Sequence, residues 1–277
     1  MLSRPEPFFL DGRAGRLFCV LYPGCGAGGA RRGVLVVPPF AEEMNKCRRM
    51  VALAARALQA RGADVLMLDP TGTGDSEGDF ADARIDIWTD DLRRGATCLR
   101  DRGSRSLDVL AVRGGALLVG PGLLPGEMTA GRLALWQAVA SGRQVAAQFL
   151  RLRVAEAVTG GFQGDQAGNQ REALRANGAI EVAGYRVSEE LIAALESLDL
   201  AGIARGGWTP VQWFEVAAPG ATTLSPASLR AIAGLRGSDV SVDAEIIAGD
   251  PFWATPEIAV VDELVTRTAA TLTAVVE

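Results

Sequence analysis

Short apolar runs alternate with helix-length segments from residue 34 onwards. The runs GVLVVPP, ADVLMLDP, LDVLAVRGG and LALWQAV have the length and apolar continuity of strands buried on both faces of a parallel sheet. Between them, residues 44–60 repeat apolar side chains at helical spacing, and residues 82–102 form a second predicted helix. Because strands separated by helices pair through right-handed crossovers, this rhythm predicts an α/β fold with a mostly parallel central sheet and helices on both faces.

Both ends of the chain add strands to this pattern. FFLDG and GRLFCVLYP predict an N-terminal hairpin, and the glycine-rich residues 24–33 follow it. That stretch contains G-x-G-x-x-G, but a strand follows it instead of a helix, so we predict a turn and not a nucleotide-binding loop. VQWFEVA and VSVDAEIIAG predict two further strands, separated by a helix around residues 227–235. Thr255-Pro256-Glu257 predicts the start of a last helix, with Pro at its first position. The predicted core face of that helix is Ile258, Val261, Leu264 and Val265.

The alternation breaks after Ser141. Residues 160–178 are rich in Gly, Gln and Asn, and AIEV-AG-YRVS predicts a small hairpin. Ser188 then caps a predicted amphipathic helix. We therefore predict a core of residues 1–158 and 209–277, into which residues 159–208 are inserted as a cap.

The composition restricts the chemistry more than the fold does. The chain of 277 residues contains no histidine, which excludes Ser-His-Asp and Cys-His catalysis as well as imidazole metal ligands. Its four cysteines lie far apart with no C-x-x-C pair, so neither a zinc site nor a disulfide framework is indicated. We expect no metal and no cofactor, and any chemistry must use carboxylates, arginine, hydroxyls or thiols.

Charge and hydropathy indicate the kind of partner. The net charge of −5 argues against nucleic-acid binding, and Lys46 is the single lysine in a chain whose basic residues are otherwise arginine. No apolar run is long enough for a membrane span, and MLSRPEPFFLDG carries prolines and a glutamate where a signal peptide needs an apolar core. These features favour a cytoplasmic protein with a small-molecule ligand, and they do not indicate an oligomeric state.

A loop after the second helix-flanked strand gives the first specific motif. Residues 68–78, LDPTGTGDSEG, resemble the loop that follows the fourth strand of α/β-hydrolases, where G-x-G-x-S comes after an acidic residue. Small residues allow a tight turn there, and Asp and Ser side chains bind its backbone. We therefore expect a structural role for this loop, because no base is identifiable beside Ser76.

The resemblance implies a nucleophile turn after the next strand. That family has G-x-S-x-G on a strained strand-to-helix turn, and the corresponding stretch here is Ala111-Val112-Arg113-Gly114-Gly115. Arg113 stands where the serine is expected, and a guanidinium cannot attack a carbonyl. At a helix N-terminus it would instead bind an anion; the alternative is a salt bridge to Glu42, Glu43 or Asp69.

The longest motif is PPFAEEMNKCRRM at residues 38–50. With LWQ, SGRQ, QFLRLR and GDPFW further along, it resembles the exosortase A system-associated hydrolase 2 family, α/β-hydrolase-like proteins encoded with exopolysaccharide genes. The resemblance implies a hydrolase. Two triad positions do not carry over, because Arg113 replaces the nucleophile and the loop at residues 249–253 has no histidine; Glu215 is the acid nearest the third. Fold alone does not fix function.

Glu42 and Glu43 lie where this motif joins a strand to a helix at the carboxyl edge of the sheet, the edge at which ligands bind in such folds. Paired carboxylates there can act as acid and base, particularly if their repulsion raises one pKa. Alternatively they stabilise the first turn of the helix while Arg48 and Arg49 face water. Cys47 is more consistent with a buried, inert thiol than with a nucleophile.

Aromatic and amide side chains at strand ends could line an apolar pocket, although core packing explains them equally well. These candidates are Phe40, Trp136, Gln137, Phe252 and Trp253. Two functions remain open. One is a hydrolase or transferase of ester- or thioester-like substrates, with Glu43 or Glu42 activating water and Arg113 holding an anion. The other is a non-catalytic protein of the same fold that binds an acyl or anionic ligand or serves as a scaffold.

Overall fold

A computed structural model of the chain describes residues 3–24, 31–159 and 167–274. Its strands are β1 (Glu6–Asp11), β2 (Arg16–Tyr22), β3 (Arg31–Val37), β4 (Asp64–Leu68), β5 (Ser104–Val112), β6 (Thr129–Trp136), β7 (Ala179–Val182), β8 (Tyr185–Ser188), β9 (Val211–Ala217) and β10 (Val242–Ala248). Its helices are α1 (Glu42–Ala60), α2 (Ile85–Asp101), α3 (Gly142–Thr159), α4 (Ala167–Asn177), α5 (Glu189–Glu196), α6 (Ala201–Arg205), α7 (Pro226–Arg236) and α8 (Asp262–Thr273).

Eight of the strands form one mixed sheet in the order β1-β2-β4-β3-β5-β6-β9-β10. The predicted hairpin is confirmed: β1 pairs with β2 antiparallel, and β2 joins the sheet antiparallel to β4. Every pairing from β4 through β3, β5, β6 and β9 to β10 is parallel. The predicted α/β architecture with a mostly parallel sheet is therefore confirmed.

The apolar continuity of the central strands reflects two separate cores. Along β3, Val34 and Val36 pack on the face covered by α1 and α8, whereas Leu35 and Val37 pack on the opposite face, which is covered by α2 and α3. Because successive side chains of a strand point to opposite faces, a strand covered on both sides must be apolar at every position.

The segment between β6 and β9 leaves the sheet. It contains α3, α4, the two-stranded hairpin β7-β8 (residues 179–188), α5 and α6. The Ser188 hydroxyl accepts a hydrogen bond from the Leu191 N–H at 3.1 Å, which caps α5 as the sequence predicts. No helix in the described ranges is long and apolar enough to cross a membrane.

The predicted start of the last helix is wrong. The chain turns at residues 251–255 and enters α8 only at Asp262, with Asp262 and Glu263 in the first turn, where carboxylates favour the helix dipole. Val261 and Leu264 are buried as expected, but Ile258 is 70% exposed. The apolar spacing is correct from residue 261 onwards, where α8 forms and packs its apolar face against α1 and the sheet.

Candidate functional site

A cavity of ≈ 260 Å³ opens at the carboxyl edge of the sheet. Its walls come from the turn between β3 and α1, the residue after β5, the segment after β6, one face of α3 and the loop after β10. The lining residues are Phe40, Glu42, Glu43, Lys46, Arg113, Val139, Val145, Gln148, Phe149, Leu152, Trp253 and Ala254. The three residues predicted to carry chemistry, Glu42, Glu43 and Arg113, therefore share one cavity.

The backbone around this cavity is strained. Ala41, Arg113 and Gln137 follow β3, β5 and β6, and they have φ values of 49°, 52° and 46°. Non-glycine residues adopt this left-handed region rarely and at an energetic cost, and such residues concentrate at functional sites. The strain at Arg113 aims its side chain from the end of β5 into the cavity.

A short 3₁₀ helix, Arg113–Leu118, follows β5 instead of the expected α-helix. Gly115 lies so close to the preceding turn that a Cβ there would be 2.4 Å from the Pro38 carbonyl oxygen. After Gly120 a second short 3₁₀ helix, Pro121–Leu123, follows, with Pro121 at its first position. Arg113 therefore lies at the start of a helix, as the sequence predicts, but a six-residue 3₁₀ helix provides a smaller aligned dipole than an α-helix.

The close approach at Gly115 gives a stability test. We expect Gly115→Ala to lower the free energy of unfolding by about 2 kcal/mol or more, because the methyl group must displace backbone atoms. Gly234→Ala is the matched control: a Cβ there has open space in α7, and helix propensity should make it neutral or stabilising by about 0.5–1 kcal/mol. Urea denaturation measures both, and equal effects would contradict the packing of this turn.

Arg113 is held by four groups, three of which belong to the cavity wall. Its Nε and Nη2 donate to the Glu43 Oε1 at 3.1 and 2.8 Å, and Nη2 also donates to the Gln148 Oε1 at 3.1 Å. Its Nη1 donates to the Gln137 carbonyl oxygen at 3.3 Å, and its Cζ lies 5.0 Å from the centre of the Trp253 ring. A guanidinium has five N–H groups, so these contacts leave about one for a ligand.

Glu42 differs from Glu43 in that it forms no salt bridge with Arg113. Its Oε2 is buried without a hydrogen-bond partner. Burial raises the pKa of the Glu42 carboxyl to about 7 from an ordinary value of 4.5, and the negative charge of Glu43 raises it further. A hydrogen bond from the backbone N–H of Glu42 itself and the positive charges of Lys46 and Arg113 act in the opposite direction. A carboxyl group with this pKa exchanges protons near neutral pH, which suits general acid–base chemistry.

The predicted pocket residues separate into two sets. Phe40 and Trp253 line the cavity. Trp136 and Phe252 do not, because they are 0% and 1% exposed and pack against each other in the core on the α1 side of the sheet. The Trp136 indole N–H donates to the Thr268 hydroxyl at 2.7 Å. Gln137 is structural as well: its side-chain oxygen accepts from the Val216 N–H at 2.7 Å.

The remaining candidates have structural contacts. The Ser76 hydroxyl bridges the Phe18 N–H and the Asp69 carbonyl oxygen, as expected for a loop-stabilising residue. Asp69 pairs with Arg48 at 2.8 Å, so it is not the partner of Arg113, and Arg48 is not simply a solvent-facing charge. Glu215 is buried and accepts from the Ser225 N–H at 2.8 Å, beside the start of α7.

Cys47 is 0% exposed, and burial raises the pKa of its thiol well above the ordinary range. It is therefore a neutral core side chain. Within the described residues, no cluster of Cys, Asp and Glu could hold a metal ion. Sequence reasoning did not assign a role to Gln148, although it lies in a stretch that carries the family resemblance, or to Lys46, whose position on the wall only the structure reveals.

Comparison with known proteins identifies the architecture. No family model matches the chain, and no curated protein does. Solved structures do: Est1E from Butyrivibrio proteoclasticus with bound ferulic acid superimposes with a TM-score of 0.65 at 13% identity, covering 95% of this chain and 96% of that one. The chain has the α/β-hydrolase fold.

Two further α/β-hydrolase-fold structures support this assignment. A serine hydrolase without lid from Xanthomonas campestris has a TM-score of 0.55 at 14% identity, covering 98% of this chain and 93% of that one. An α/β serine hydrolase homologue from Coxiella burnetii has a TM-score of 0.56 at 12% identity, covering 99% and 98%. At these identities the likeness establishes the fold alone.

The α/β-hydrolase fold allows the positions around this cavity to be compared with those of other proteins of the fold. In an α/β-hydrolase the residue of the strained turn is the nucleophile, and here that turn carries Arg113. The base belongs to the loop after the last strand, and in this chain that loop places Trp253 against the Arg113 guanidinium. The turn after β5 and the loop after β10 therefore meet at one contact, between the Arg113 guanidinium and the Trp253 ring.

Proposed function

We propose that this protein hydrolyses a small ester- or thioester-like substrate in this cavity, with Glu42 as the general acid–base group. The observation that carries the proposal is the Glu42 carboxyl: it lines the cavity, one of its oxygens is buried without a partner, and its pKa is raised to about 7. Glu43 has the other role, because its carboxylate is committed to Arg113.

The proposed reaction needs no covalent intermediate. Ionised Glu42 accepts a proton from a water molecule while the water oxygen attacks the carbonyl carbon of the substrate. The remaining N–H of Arg113 donates to the oxyanion that forms. When the tetrahedral intermediate collapses, the bond to the leaving oxygen or sulfur breaks, and protonated Glu42 returns its proton to that atom. The Glu43–Arg113 ion pair fixes the direction of the guanidinium throughout.

The substrate class follows from the walls and from the motif resemblance. Phe40, Val145, Phe149 and Leu152 make much of the wall apolar, which suits an acyl group. The resemblance of PPFAEEMNKCRRM to the exosortase A system-associated proteins supports a role alongside exopolysaccharide production, in the cytoplasm. We also propose that residues 159–208 act as a cap on the core. Their hairpin residue Tyr185 accepts a hydrogen bond from the Asn45 side-chain amide at 3.4 Å, beside the start of α1.

The pH dependence of turnover tests the role of Glu42. Because the base form must be ionised, kcat/KM for p-nitrophenyl esters should rise with pH and level off above about 7, with a single apparent pKa near that value. The other charged or titratable groups around this carboxyl are Glu43, Lys46, Arg113 and Tyr185, and burial raises the pKa of the Tyr185 hydroxyl above its ordinary value of 10.0. A profile that is flat between about pH 5 and 8 would exclude Glu42 as the base.

A serine-directed fluorophosphonate probe is the complementary measurement. We expect no labelling, because the turn after β5 carries Arg113 and the chain has no histidine to activate a hydroxyl. Stoichiometric labelling of any serine would overturn the proposed mechanism.

One observation favours a second function. The Arg113 guanidinium is already bound by Glu43, Gln148 and the Gln137 carbonyl, as expected of a framework residue in a protein that only binds its ligand or serves as a scaffold. A saturable ligand affinity without turnover of any ester or thioester would support this alternative.

A further inference from the structure

Lys46 is the only lysine in the chain, and it lies on the wall of the candidate cavity. It projects from the first turns of α1, one helical turn beyond Glu42, and is half-buried. An ammonium and a guanidinium bind differently: the guanidinium forms planar bidentate pairs, whereas the ammonium acts as a compact point charge. The cavity therefore offers a different cationic group from the arginines used throughout the rest of the chain.

The charges on the wall do not cancel completely. Arg113 and Glu43 neutralise each other at 2.8 Å. Lys46 has no hydrogen-bond or ion-pair partner among the residues that the structure describes. The Oε2 of Glu42 is likewise buried without a partner. An unpaired ammonium and an unpaired carboxyl oxygen thus share a cavity whose other surfaces are mainly apolar, and unsatisfied groups in such a setting are costly unless a ligand satisfies them.

We propose that Lys46 binds the carboxylate of a small acid with an apolar body, with the carboxyl group of Glu42 as the second polar contact. The proposal rests on the proposed function in taking this cavity as the ligand site, and it makes the ligand an acyl or aryl carboxylate, the product class of ester hydrolysis. It also separates the two cations: Lys46 recognises the carboxylate, whereas Arg113 is bound mainly by the wall and keeps about one N–H for the ligand.

A carboxylate fits this site better than a phosphate does. A phosphate presents three oxygens and up to two charges, and its sites usually supply several donors. Here the wall supplies the ammonium of Lys46 and about one N–H of Arg113. A carboxylate has two oxygens, so one can accept from Lys46 while the other shares the proton of Glu42.

Selective acylation tests the location of the ligand. Because Lys46 is the only lysine, an N-hydroxysuccinimide acetate modifies this side chain and the α-amino group alone, and peptide mass mapping distinguishes the two. We expect octanoate or benzoate to slow acetylation of Lys46 at least about tenfold at saturation and to leave the α-amino group unaffected. Octanamide and benzamide should protect much less, and so should inorganic phosphate. Equal protection by acid and amide would overturn the proposal, and so would protection by phosphate alone.

Binding measurements with variants give a second readout. By isothermal titration calorimetry, Lys46→Gln should weaken octanoate binding roughly tenfold or more and abolish the preference for octanoate over octanamide, because a charge-assisted hydrogen bond is lost. Lys46→Arg should retain part of that preference. The exposed Arg49 of the same helix is the matched control, and Arg49→Gln should bind octanoate as the unaltered protein does. An unchanged affinity in Lys46→Gln would refute the role of this side chain.

The outcomes distinguish this inference from the proposed function. Carboxylate binding and its loss in Lys46→Gln can be measured whether or not the protein turns over an ester. Binding with no turnover would support the ligand assignment and reject the hydrolase, whereas turnover with no discrimination between acid and amide would do the reverse.

Discussion

Replacing Glu42 by glutamine is expected to lower kcat/KM for ester hydrolysis at least about 100-fold, the usual contribution of a general acid–base group. Glutamine keeps the size and hydrogen-bonding capacity of the side chain but cannot exchange a proton. The effect should be larger in kcat than in KM, because proton transfer occurs in the transition state and not in substrate binding.

The same variant is expected to lower turnover but to raise the free energy of unfolding at high pH. In the folded chain Glu42 has a pKa of about 7, against 4.5 for an ordinary glutamate, so its contribution to stability is complete below pH 4.5 and is lost as the pH rises through 7. Glu42→Gln removes this loss. Above pH 8 it should therefore stabilise the fold by about 1–2 kcal/mol relative to the unaltered chain, after allowance for the water that reaches the carboxyl.

Exposed Glu127 is the control for both measurements. Glu127→Gln should change neither turnover nor the pH dependence of unfolding. A fully active Glu42→Gln would contradict the catalytic assignment, and so would a variant that lost activity only because it unfolds. The expected gain in stability above pH 8 distinguishes the predicted loss of catalysis from unfolding.

The sequence was sufficient for the sheet because the determinants of the sheet are local. The continuous apolar run of β3 follows from the helices that cover both of its faces, and the alternation of strands and helices predicts parallel pairing of the strands. The last helix shows where local pattern stops being sufficient. Residues 256–261 have helical apolar spacing, but they do not form a helix, and Ile258 is 70% exposed. Periodicity records which residues could share a face, not whether a partner surface exists.

The candidate site was predictable only in part for a related reason. Strand ends indicate which residues reach the carboxyl edge, and Glu42, Glu43 and Arg113 do meet there. Whether a side chain at a strand end points into the cavity or into the core depends on its position in the strand and on the backbone beyond. Trp136 is still the last residue of β6 and points into the core, while Trp253 lies five residues beyond β10 and reaches Arg113.

The different roles of two adjacent glutamates lay beyond any sequence pattern. Glu42 and Glu43 differ by 100° around α1, and this rotation directs Glu43 to Arg113 and leaves the Oε2 of Glu42 without a hydrogen-bond partner. The result resembles the way that enzymes divide acid–base tasks between neighbouring carboxyl groups, where environment and not residue type sets the roles.

Replacing one partner of the Glu43–Arg113 pair is expected to lower the free energy of unfolding more than breaking any other contact of the site. Both side chains are largely buried, with 17% and 11% of their surface exposed. Arg113→Met should destabilise the fold by about 3 kcal/mol or more, because it leaves a buried carboxylate without its partner. Glu43→Met should have a comparable effect, since it leaves the buried guanidinium without its carboxylate partner.

The double variant Arg113→Met/Glu43→Met should recover much of this loss, because no uncompensated charge remains and methionine fills an apolar space adaptably. A double-mutant cycle in urea should therefore give a coupling energy of about 3 kcal/mol or more. The exposed pair Arg267–Glu245, 2.8 Å apart, is the control, and its coupling should stay below about 1 kcal/mol. If the two cycles gave equal coupling energies, the Glu43–Arg113 pair would be an ordinary surface ion pair, and the strained φ of 52° at Arg113 would have no buried contact to maintain it.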